Sequence, residues 1–125
     1  MLSPPQKSTN SSAQGDGAAV VTAAVSEAAD AGLAMFNKGG NAFDAALAAA
    51  FAETVWLPMK CGLAGDIVAL YKRPGEPVRT LLAIGRGPLA LTQGAALAAT
   101  GPCSIGGAGA PEGYARLAGY GDLPL

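Results

Sequence analysis

Apolar residues recur at helical spacing in two neighbouring stretches of the chain. The first stretch predicts a helix over Glu27–Asn37, with Ser26 as its N-cap. Gly39–Gly40 is expected to end this helix, because a glycine tolerates the left-handed backbone that follows many helices. The second stretch follows Asn41 and is rich in alanine. Two helices joined by so short a break predict a helical hairpin.

The second helix carries its own start signal and two different faces. The side chain of Asn41 is expected to cap it, and Asp44 is expected to reach back in a variant of the capping box. A smooth face permits close approach of another element, and a bulky face fills a core, so we expect burial on nearly all sides. The smooth face comprises Ala42, Ala45, Ala46 and Ala49, and the bulky face Phe43, Leu47 and Phe51.

Two apolar runs beyond this helix predict a β-hairpin. Ile67–Lys72 and Val78–Ile84 flank Arg73–Pro77, whose Pro-Gly-Glu-Pro residues are typical of a turn. The first run is apolar on both faces, which predicts a central, covered strand. Upstream of the helices, Ala18–Ala24 favours a strand or an extended segment.

The two ends of the chain give weaker patterns. Thr92 is expected to cap a short helix over Gln93–Ala99, and a further helix is expected to begin near Pro111. Residues 1–17 are rich in Ser, Pro and Gln, which predicts a disordered tail ahead of a partial domain over residues 18–125. The tail lacks the apolar core of a secretory signal, so we expect a cytoplasmic protein.

Length and charge limit the classes of function. With 125 residues, the chain suffices for one small domain. A net charge of −1 favours neither a nucleic acid nor an anionic membrane surface as a partner. The alanine-rich helix is too short to cross a bilayer and carries Asp44 and Glu53. We therefore expect neither nucleic acid nor membrane among the partners.

Residue types that usually perform catalysis or hold metals are scarce. The sequence contains no histidine, which excludes a Ser-His-Asp triad and any histidine metal site within it. Cys61 and Cys103 lie far apart and form no Cys-x-x-Cys motif, so two free thiols are favoured over a disulfide. Neither a metal nor another cofactor is expected.

Glycine-rich loops and isolated acids also give no complete site. Gly62–Asp66 and the loop from Gly106 to Gly109 lack the spacing of nucleotide-binding loops, so glycines that let backbones approach closely are the favoured interpretation. Asp66 is expected to cap or orient its loop. Paired carboxylates at Asp44 and Glu53 have no support, because Asp44 is better explained as a cap.

Arg86 is the one suggestive functional residue. It lies between Gly85 and Gly87 at the end of a predicted strand, and Pro88 fixes the backbone beyond it. Most arginines of this kind are surface or salt-bridged residues. A guanidinium at an accessible strand end can, however, bind a carboxylate through two parallel hydrogen bonds. Both interpretations stay open from the residues alone.

Four blocks of this sequence, in order and at matching spacing, resemble the gamma-glutamyltranspeptidase family. The block over residues 26–53 is similar to the opening helical hairpin of that family. The next two are similar to its glycine loop, in the branch with C-G-x-x-G-D, and to the strand that carries its substrate-binding arginine. The last is similar to the connector and helix that follow. These blocks are Ser26–Glu53, Pro58–Gly75, Arg79–Leu91 and Gly109–Pro124.

This resemblance implies an α+β fold, the N-terminal part of an αββα sandwich. It also implies a self-processing precursor, in which a threonine freed at the N-terminus of a small subunit is both nucleophile and base. The chain would then be part of the large subunit, with that small-subunit chain as its partner. Arg86 would bind the α-carboxylate of a small-molecule substrate, and no catalytic residue would lie in this chain.

The sequence departs from the family pattern directly after Arg86. Familiar transpeptidases have an acidic residue there, whereas this chain has Gly87 and Pro88. The departure favours a divergent relative that acts on an amino-acid-derived molecule, including one that cleaves an acyl or carbon–carbon bond in antibiotic biosynthesis. The alternatives are a non-catalytic, truncated homologue and, more remotely, a nucleotide-binding domain.

Overall fold

A computed structural model describes residues 11–14, 19–89, 99–101 and 104–124 of the chain. Two short antiparallel sheets and three helices are present in this part of the chain, which confirms the α+β prediction. In chain order the elements are β1 Ser11–Gln14, β2 Val20–Ala23, α1 Ser26–Asn37, α2 Ala42–Trp56, β3 Ile67–Tyr71, β4 Arg79–Ala83 and α3 Ala110–Ala118.

The elements group into two compact units. The first unit comprises the chain up to Cys61 together with the stretch from Tyr120 onward, and the second comprises Gly62–Gly119. The first unit is therefore built from two separate stretches of sequence. The second is continuous and carries the β3–β4 hairpin, α3 and Arg86.

The break between α1 and α2 is a Schellman turn. The N–H of Gly39 donates to the carbonyl of Phe36 at 2.9 Å, and the N–H of Gly40 donates to that of Met35, also at 2.9 Å. Gly39 has a φ of +85°, which side chains with a β-carbon adopt at a cost. The prediction that these glycines end the first helix is confirmed.

The start of α2 also follows the prediction. The Asn41 side chain accepts hydrogen bonds from the backbone N–H groups of Phe43 at 2.8 Å and Asp44 at 3.3 Å. In return, Oδ2 of Asp44 accepts the N–H of Asn41 at 2.8 Å, which completes the capping box. These bonds satisfy N–H groups that a helix start otherwise leaves unpaired.

The predicted cap of α1 is wrong. Val25 is the N-cap residue, with extended backbone, and Ser26 is already inside the helix. The Ser26 hydroxyl donates to the carboxylate of Glu27 at 3.0 Å and so does not bond a backbone N–H of the first turn. Serine is a preferred N-cap residue, but the hydroxyl of Ser26 is engaged with the neighbouring carboxylate.

Small residues allow α1 and α2 to pack closely. Ala29 is fully buried and Ala45 is 2% exposed, and both belong to one apolar cluster with Val21. A β-carbon on Gly32 would come within 2.9 Å of the carbonyl oxygen of Ala45. Gly32 therefore sets the close approach of the two helices, and the prediction of a close helical contact along the smooth face is confirmed at Ala45 and Ala49.

Burial of α2 on nearly all sides is not observed in the described residues. Ala42 and Ala46, on the smooth face, are exposed, and Phe51 on the bulky face is 41% exposed. The exposed part of the smooth face lines an open cleft of about 390 Å³ within the first unit. Backbone and side chains of β2, together with Glu53, form the other part of its lining.

Strand β2 lies within the segment Ala18–Ala24 that was predicted to be extended, and it pairs antiparallel with β1. Ser11–Gln14 thus forms a strand inside the stretch for which a disordered tail is predicted. Residues 1–10 and 15–17 of that stretch lie outside the described residues. The boundary between a tail and a domain at residue 18 stays a prediction.

The β3–β4 hairpin forms as predicted, with Ile67 opposite Ala83 and Tyr71 opposite Arg79. In its turn, the N–H of Glu76 donates to the carbonyl of Arg73 at 3.1 Å. Gly75 has a φ of +75°, which is the conformation that Pro-Gly requires at the centre of a type II turn.

One face of the hairpin packs on α3 and the other is exposed. A β-carbon on Gly113 of α3 would lie 2.7 Å from that of Ala83, so glycine lets the helix lie close to the sheet. On the opposite face Val68 is 63% exposed and Leu70 is 75% exposed. The expectation of a covered central strand is therefore not met in the described part of the chain, where β3 pairs with β4 alone.

The remaining predictions concern the last third of the chain. The helix expected near Pro111 is α3, and Pro111 lies in its first turn. The short helix expected over Gln93–Ala99, with Thr92 as its cap, falls almost wholly on residues 90–98, outside the described residues.

Residues that follow α3 return to the start of α2. The side-chain amide of Asn41 donates to the carbonyl of Tyr120 at 2.8 Å, and the rings of Tyr120 and Phe43 lie 5.2 Å apart. Oδ2 of Asp44 accepts the N–H of Asp122 at 2.9 Å. The capping box of α2 thus also holds the stretch from Tyr120 onward.

Candidate substrate-binding site

Three loops meet in the second unit at a cluster that we call the glycine junction. It comprises the end of the loop before β3, the backbone after β4 and the connector before α3. Hydrogen bonds and close backbone contacts join each loop to another. The residues of the glycine junction are Gly65, Asp66, Gly85, Arg86, Gly107 and Gly109.

The first connection joins the loop before β3 to the start of α3. The carbonyl oxygen of Gly65 accepts the N–H of Gly109 at 3.0 Å and that of Ala110 at 2.9 Å. Because Pro111 has no N–H, these bonds occupy the first available donors of the helix. The glycines of both loops therefore serve close backbone contact, which supports the structural interpretation over nucleotide binding.

The second connection is made by the side chain of Asp66. Its Oδ1 accepts the backbone N–H of Gly85 at 2.7 Å, across the end of the hairpin. The last paired residues at that end are Ile67 and Ala83, so the carboxylate continues the cross-strand bonding beyond the backbone ladder. A bond of this length to an ionised acceptor is characteristic of a charge-assisted hydrogen bond. Asp66 was expected to cap or orient its own loop, and this contact instead joins it to the backbone after β4.

The third connection holds Arg86 itself. The N–H of Gly107 donates to the carbonyl of Arg86 at 2.8 Å. A β-carbon on Gly85 would overlap the carbonyl of Gly107, and one on Gly109 would overlap that of Ala83. The backbone around Arg86 therefore requires glycine on both sides of the contact.

The side chain of Arg86 is exposed. Within the described residues its guanidinium has no ion-pair partner, whereas three other arginines have one. Arg73 and Arg79 both pair with Glu76, and Arg116 pairs with Glu112. The fold thus fixes the backbone of Arg86 and leaves its charged group available to a ligand carboxylate.

The two carboxylates considered for an acid–base pair have separate structural roles. Asp44 belongs to the capping box, while Oε1 of Glu53 accepts the N–H of Ala24 at 2.9 Å.

The thiol of Cys61 donates a hydrogen bond to Oε2 of Glu53, with a distance of 3.7 Å between sulfur and oxygen. Burial raises the pKa of Cys61, and the charge and hydrogen bond of Glu53 raise it further. Cys61 is a free, half-buried thiol, and Cys103 lies outside the described residues.

The described residues hold no group of three or more His, Cys, Asp or Glu side chains arranged for a metal ion. In the same part of the chain, no helix is long and apolar enough to cross a membrane.

A family model described as gamma-glutamyltranspeptidase matches residues 28–125. The chain belongs to the gamma-glutamyltranspeptidase family. No curated protein is significantly similar to it.

Solved structures of gamma-glutamyltranspeptidases share the fold. The enzyme from Pseudomonas nitroreducens, complexed with L-DON, is 26% identical, with a TM-score of 0.73 over 88% of this chain and 36% of that one. The Helicobacter pylori enzyme is 24% identical, with a TM-score of 0.72 over 96% of this chain and 35% of that one. The chain thus spans about a third of the length of these two gamma-glutamyltranspeptidases.

Family membership confirms the family and the fold that the resemblance implied. The role of Arg86 in binding substrate is still a prediction for this gamma-glutamyltranspeptidase relative. Sequence reasoning placed Arg86 between two loop glycines but missed its hold by Gly107, which lies 21 positions further along the chain. The clustered glycines Gly106, Gly107 and Gly109 were the one sequence feature that could have indicated this close backbone contact.

Proposed function

We propose that this chain is the large-subunit portion of a self-processing amidohydrolase or acyltransferase. On this proposal a small-subunit chain carries the N-terminal threonine, which attacks the scissile bond through its hydroxyl while its α-amine accepts the proton. The partner supplies the catalytic group, and this chain supplies part of the substrate site. The family match over residues 28–125 supports the class.

Arg86 is the proposed contact to substrate. Its guanidinium is exposed and unpaired within the described residues, and its backbone is held at the glycine junction. A planar guanidinium binds a carboxylate through two parallel N–H donors, which orients the ligand as well as attracting it. The substrate is therefore an amino-acid-derived or gamma-glutamyl-like small molecule that carries a carboxylate.

The residues after Arg86 favour a divergent specificity. Gly87 and Pro88 provide no side-chain acceptor for the substrate's ammonium group, which an acidic residue would provide. We therefore propose an acylase, amidase or carbon–carbon bond-cleaving relative, with natural-product or antibiotic biosynthesis as its setting and the cytoplasm as its location.

The first experiment measures the intact mass of the protein, which is purified in its native state without protease treatment and then denatured. A second polypeptide that co-purifies and begins with threonine is the expected result. A single unprocessed species, with no partner chain, would contradict self-processing and favour a non-catalytic homologue. Mutation of the candidate threonine to alanine, which should leave one uncleaved precursor, provides the control for adventitious proteolysis.

A second experiment tests the role of Arg86. Arg86→Ala should weaken binding of L-glutamate by at least about tenfold, because a charged hydrogen-bond donor to the ligand is lost. Processing should stay intact. Arg116→Ala is the matched control, since Arg116 is also exposed in the second unit but is paired with Glu112. Equal affinities of wild type and Arg86→Ala would remove Arg86 from the site.

A further inference from the structure

The carboxylate of Asp66 contacts the backbone directly before Arg86. Its Oδ1 accepts the N–H of Gly85 at 2.7 Å, and Gly85 directly precedes Arg86. On the other side, the carbonyl of Arg86 accepts the N–H of Gly107 at 2.8 Å. The two bonds hold the backbone on both sides of the Gly85–Arg86 peptide bond, one through the N–H of Gly85 and the other through the carbonyl of Arg86.

Asp66 is in turn anchored by its neighbour. The carbonyl of Gly65 accepts two N–H groups at the start of α3, from Gly109 and Ala110. The peptide bond is rigid, so the position of Gly65 restricts where the Asp66 backbone lies. A chain of contacts thus runs from the first turn of α3, through Gly65 and Asp66, to Gly85 and Arg86.

The atom that Asp66 contacts decides its effect on Arg86. A carboxylate placed against the guanidinium would compete with a ligand carboxylate for the same donors. Asp66 instead bonds a backbone N–H, and within the described residues the guanidinium of Arg86 keeps all its donors free of ion pairs. The acid therefore orders the backbone of Arg86 without neutralising its side chain.

We propose that Asp66 is a positioning residue for Arg86, one that directs the guanidinium toward the carboxylate of the substrate. This rests on the proposed function, in which Arg86 binds that carboxylate. Asp66 acts through Gly85 and does not touch the substrate. Asn at this position retains the acceptor oxygen, whereas Ala removes it.

The experiment uses the full-length protein as isolated, with L-glutamate as the binding probe. Asp66→Ala should weaken L-glutamate binding by roughly tenfold, and Asp66→Asn should restore affinity to within about threefold of wild type. Asp30→Ala, which removes an exposed aspartate from α1, is the control and should bind as wild type does. Equal affinities of Asp66→Ala and wild type would overturn the proposal.

A double variant separates positioning from general loss of structure. If Asp66 acts through Arg86, the Asp66→Ala/Arg86→Ala protein should bind no more weakly than Arg86→Ala alone. Additive losses would overturn the proposal, because they would mean that Asp66 affects binding by an independent route.

Hydrogen exchange at the Gly85 amide gives a readout that needs no ligand. Exchange should rise about tenfold in Asp66→Ala and stay near wild type in Asp66→Asn, since the bonded N–H is the one observed. Unchanged exchange in Asp66→Ala would overturn the proposal even if binding fell. If wild type binds no L-glutamate while exchange responds as expected, the carboxylate function fails and the backbone role of Asp66 stands.

Discussion

The carboxylate of Asp44 accepts the backbone N–H of Asp122 at 2.9 Å, across 78 positions of sequence. The same oxygen, Oδ2, accepts the N–H of Asn41 at 2.8 Å, and Oδ1 accepts that of Leu123 at 3.4 Å. One side chain therefore caps a helix and holds a distant stretch of chain to it. Asp44 is half-buried and makes three backbone contacts, so we expect it to contribute to stability.

Asp44→Ala should lower the free energy of unfolding by about 1–2 kcal/mol. The substitution removes the acceptor for Asn41 and for the N–H groups of Asp122 and Leu123. Chemical denaturation, followed by circular dichroism, measures the change. Asp30→Ala is the control, since Asp30 is an exposed aspartate in the middle of α1. Equal effects of the two substitutions would contradict the assignment.

Stability should also depend on the protonation of Asp44. Burial acts to raise its pKa, but hydrogen bonds from the N–H groups of Asp122, Asn41 and Leu123 outweigh this and hold the pKa below the ordinary value of 3.8. A lowered pKa in the folded state contributes stability that is present above the unfolded pKa and is lost as the pH falls through the folded pKa.

The difference in Tm between wild type and Asp44→Asn measures this contribution. Wild type should be the more stable at pH values above the ordinary aspartate pKa of 3.8, and its advantage should shrink as the pH is lowered below that value. An advantage that stays constant through the acid range would mean that the charge of Asp44 is not involved.

Gly85→Ala should disrupt the glycine junction. The added methyl group would overlap the carbonyl of Gly107, and backbone atoms must move to relieve the overlap. We expect a loss of about 1–3 kcal/mol in unfolding free energy and weaker binding of L-glutamate through displacement of Arg86. Gly106→Ala is the matched control, because a β-carbon there meets nothing within 4 Å and its φ is not positive.

Cys61 should react slowly with iodoacetamide. Burial and the negative charge of Glu53 raise the pKa of this thiol, and the thiolate is the reactive form. Glu53→Gln keeps an oxygen acceptor for the N–H of Ala24 but removes the charge, so alkylation at mildly alkaline pH should become severalfold faster. The measurement uses a Cys103→Ser background, and an unchanged rate would show that Glu53 does not control the thiol.

Features whose chemistry is local could be predicted from the sequence. The glycine pair after α1, the Asn41–Asp44 capping box and the Pro-Gly turn each specify a backbone conformation through residues within four positions of one another. Ser26 failed as a cap because the helix begins one residue earlier than expected and the Ser26 hydroxyl bonds Glu27. Local signals therefore predicted which elements form better than they predicted the residue at which each element begins.

Contacts to distant backbone groups could not be predicted. Asp66 bonds Gly85 across 19 positions, and Glu53 bonds Ala24 across 29. A backbone N–H is present at every residue except proline, so the acceptor's sequence gives no indication of which one it will find. Arg86 itself could be singled out because glycines and a proline flank it, but the means of holding it could not.

The first unit is built from two separate stretches of sequence, and this affects its folding during synthesis on the ribosome. Asp44 leaves the exit tunnel well before Asp122, and at roughly 5–20 residues per second the 78 positions that separate them take about 4–16 s to translate. During that interval the N–H groups of Asp122 and Leu123 are not yet available to the carboxylate. The first unit therefore cannot be completed by the stretch from Tyr120 onward until all of Gly62–Gly119 has been synthesised.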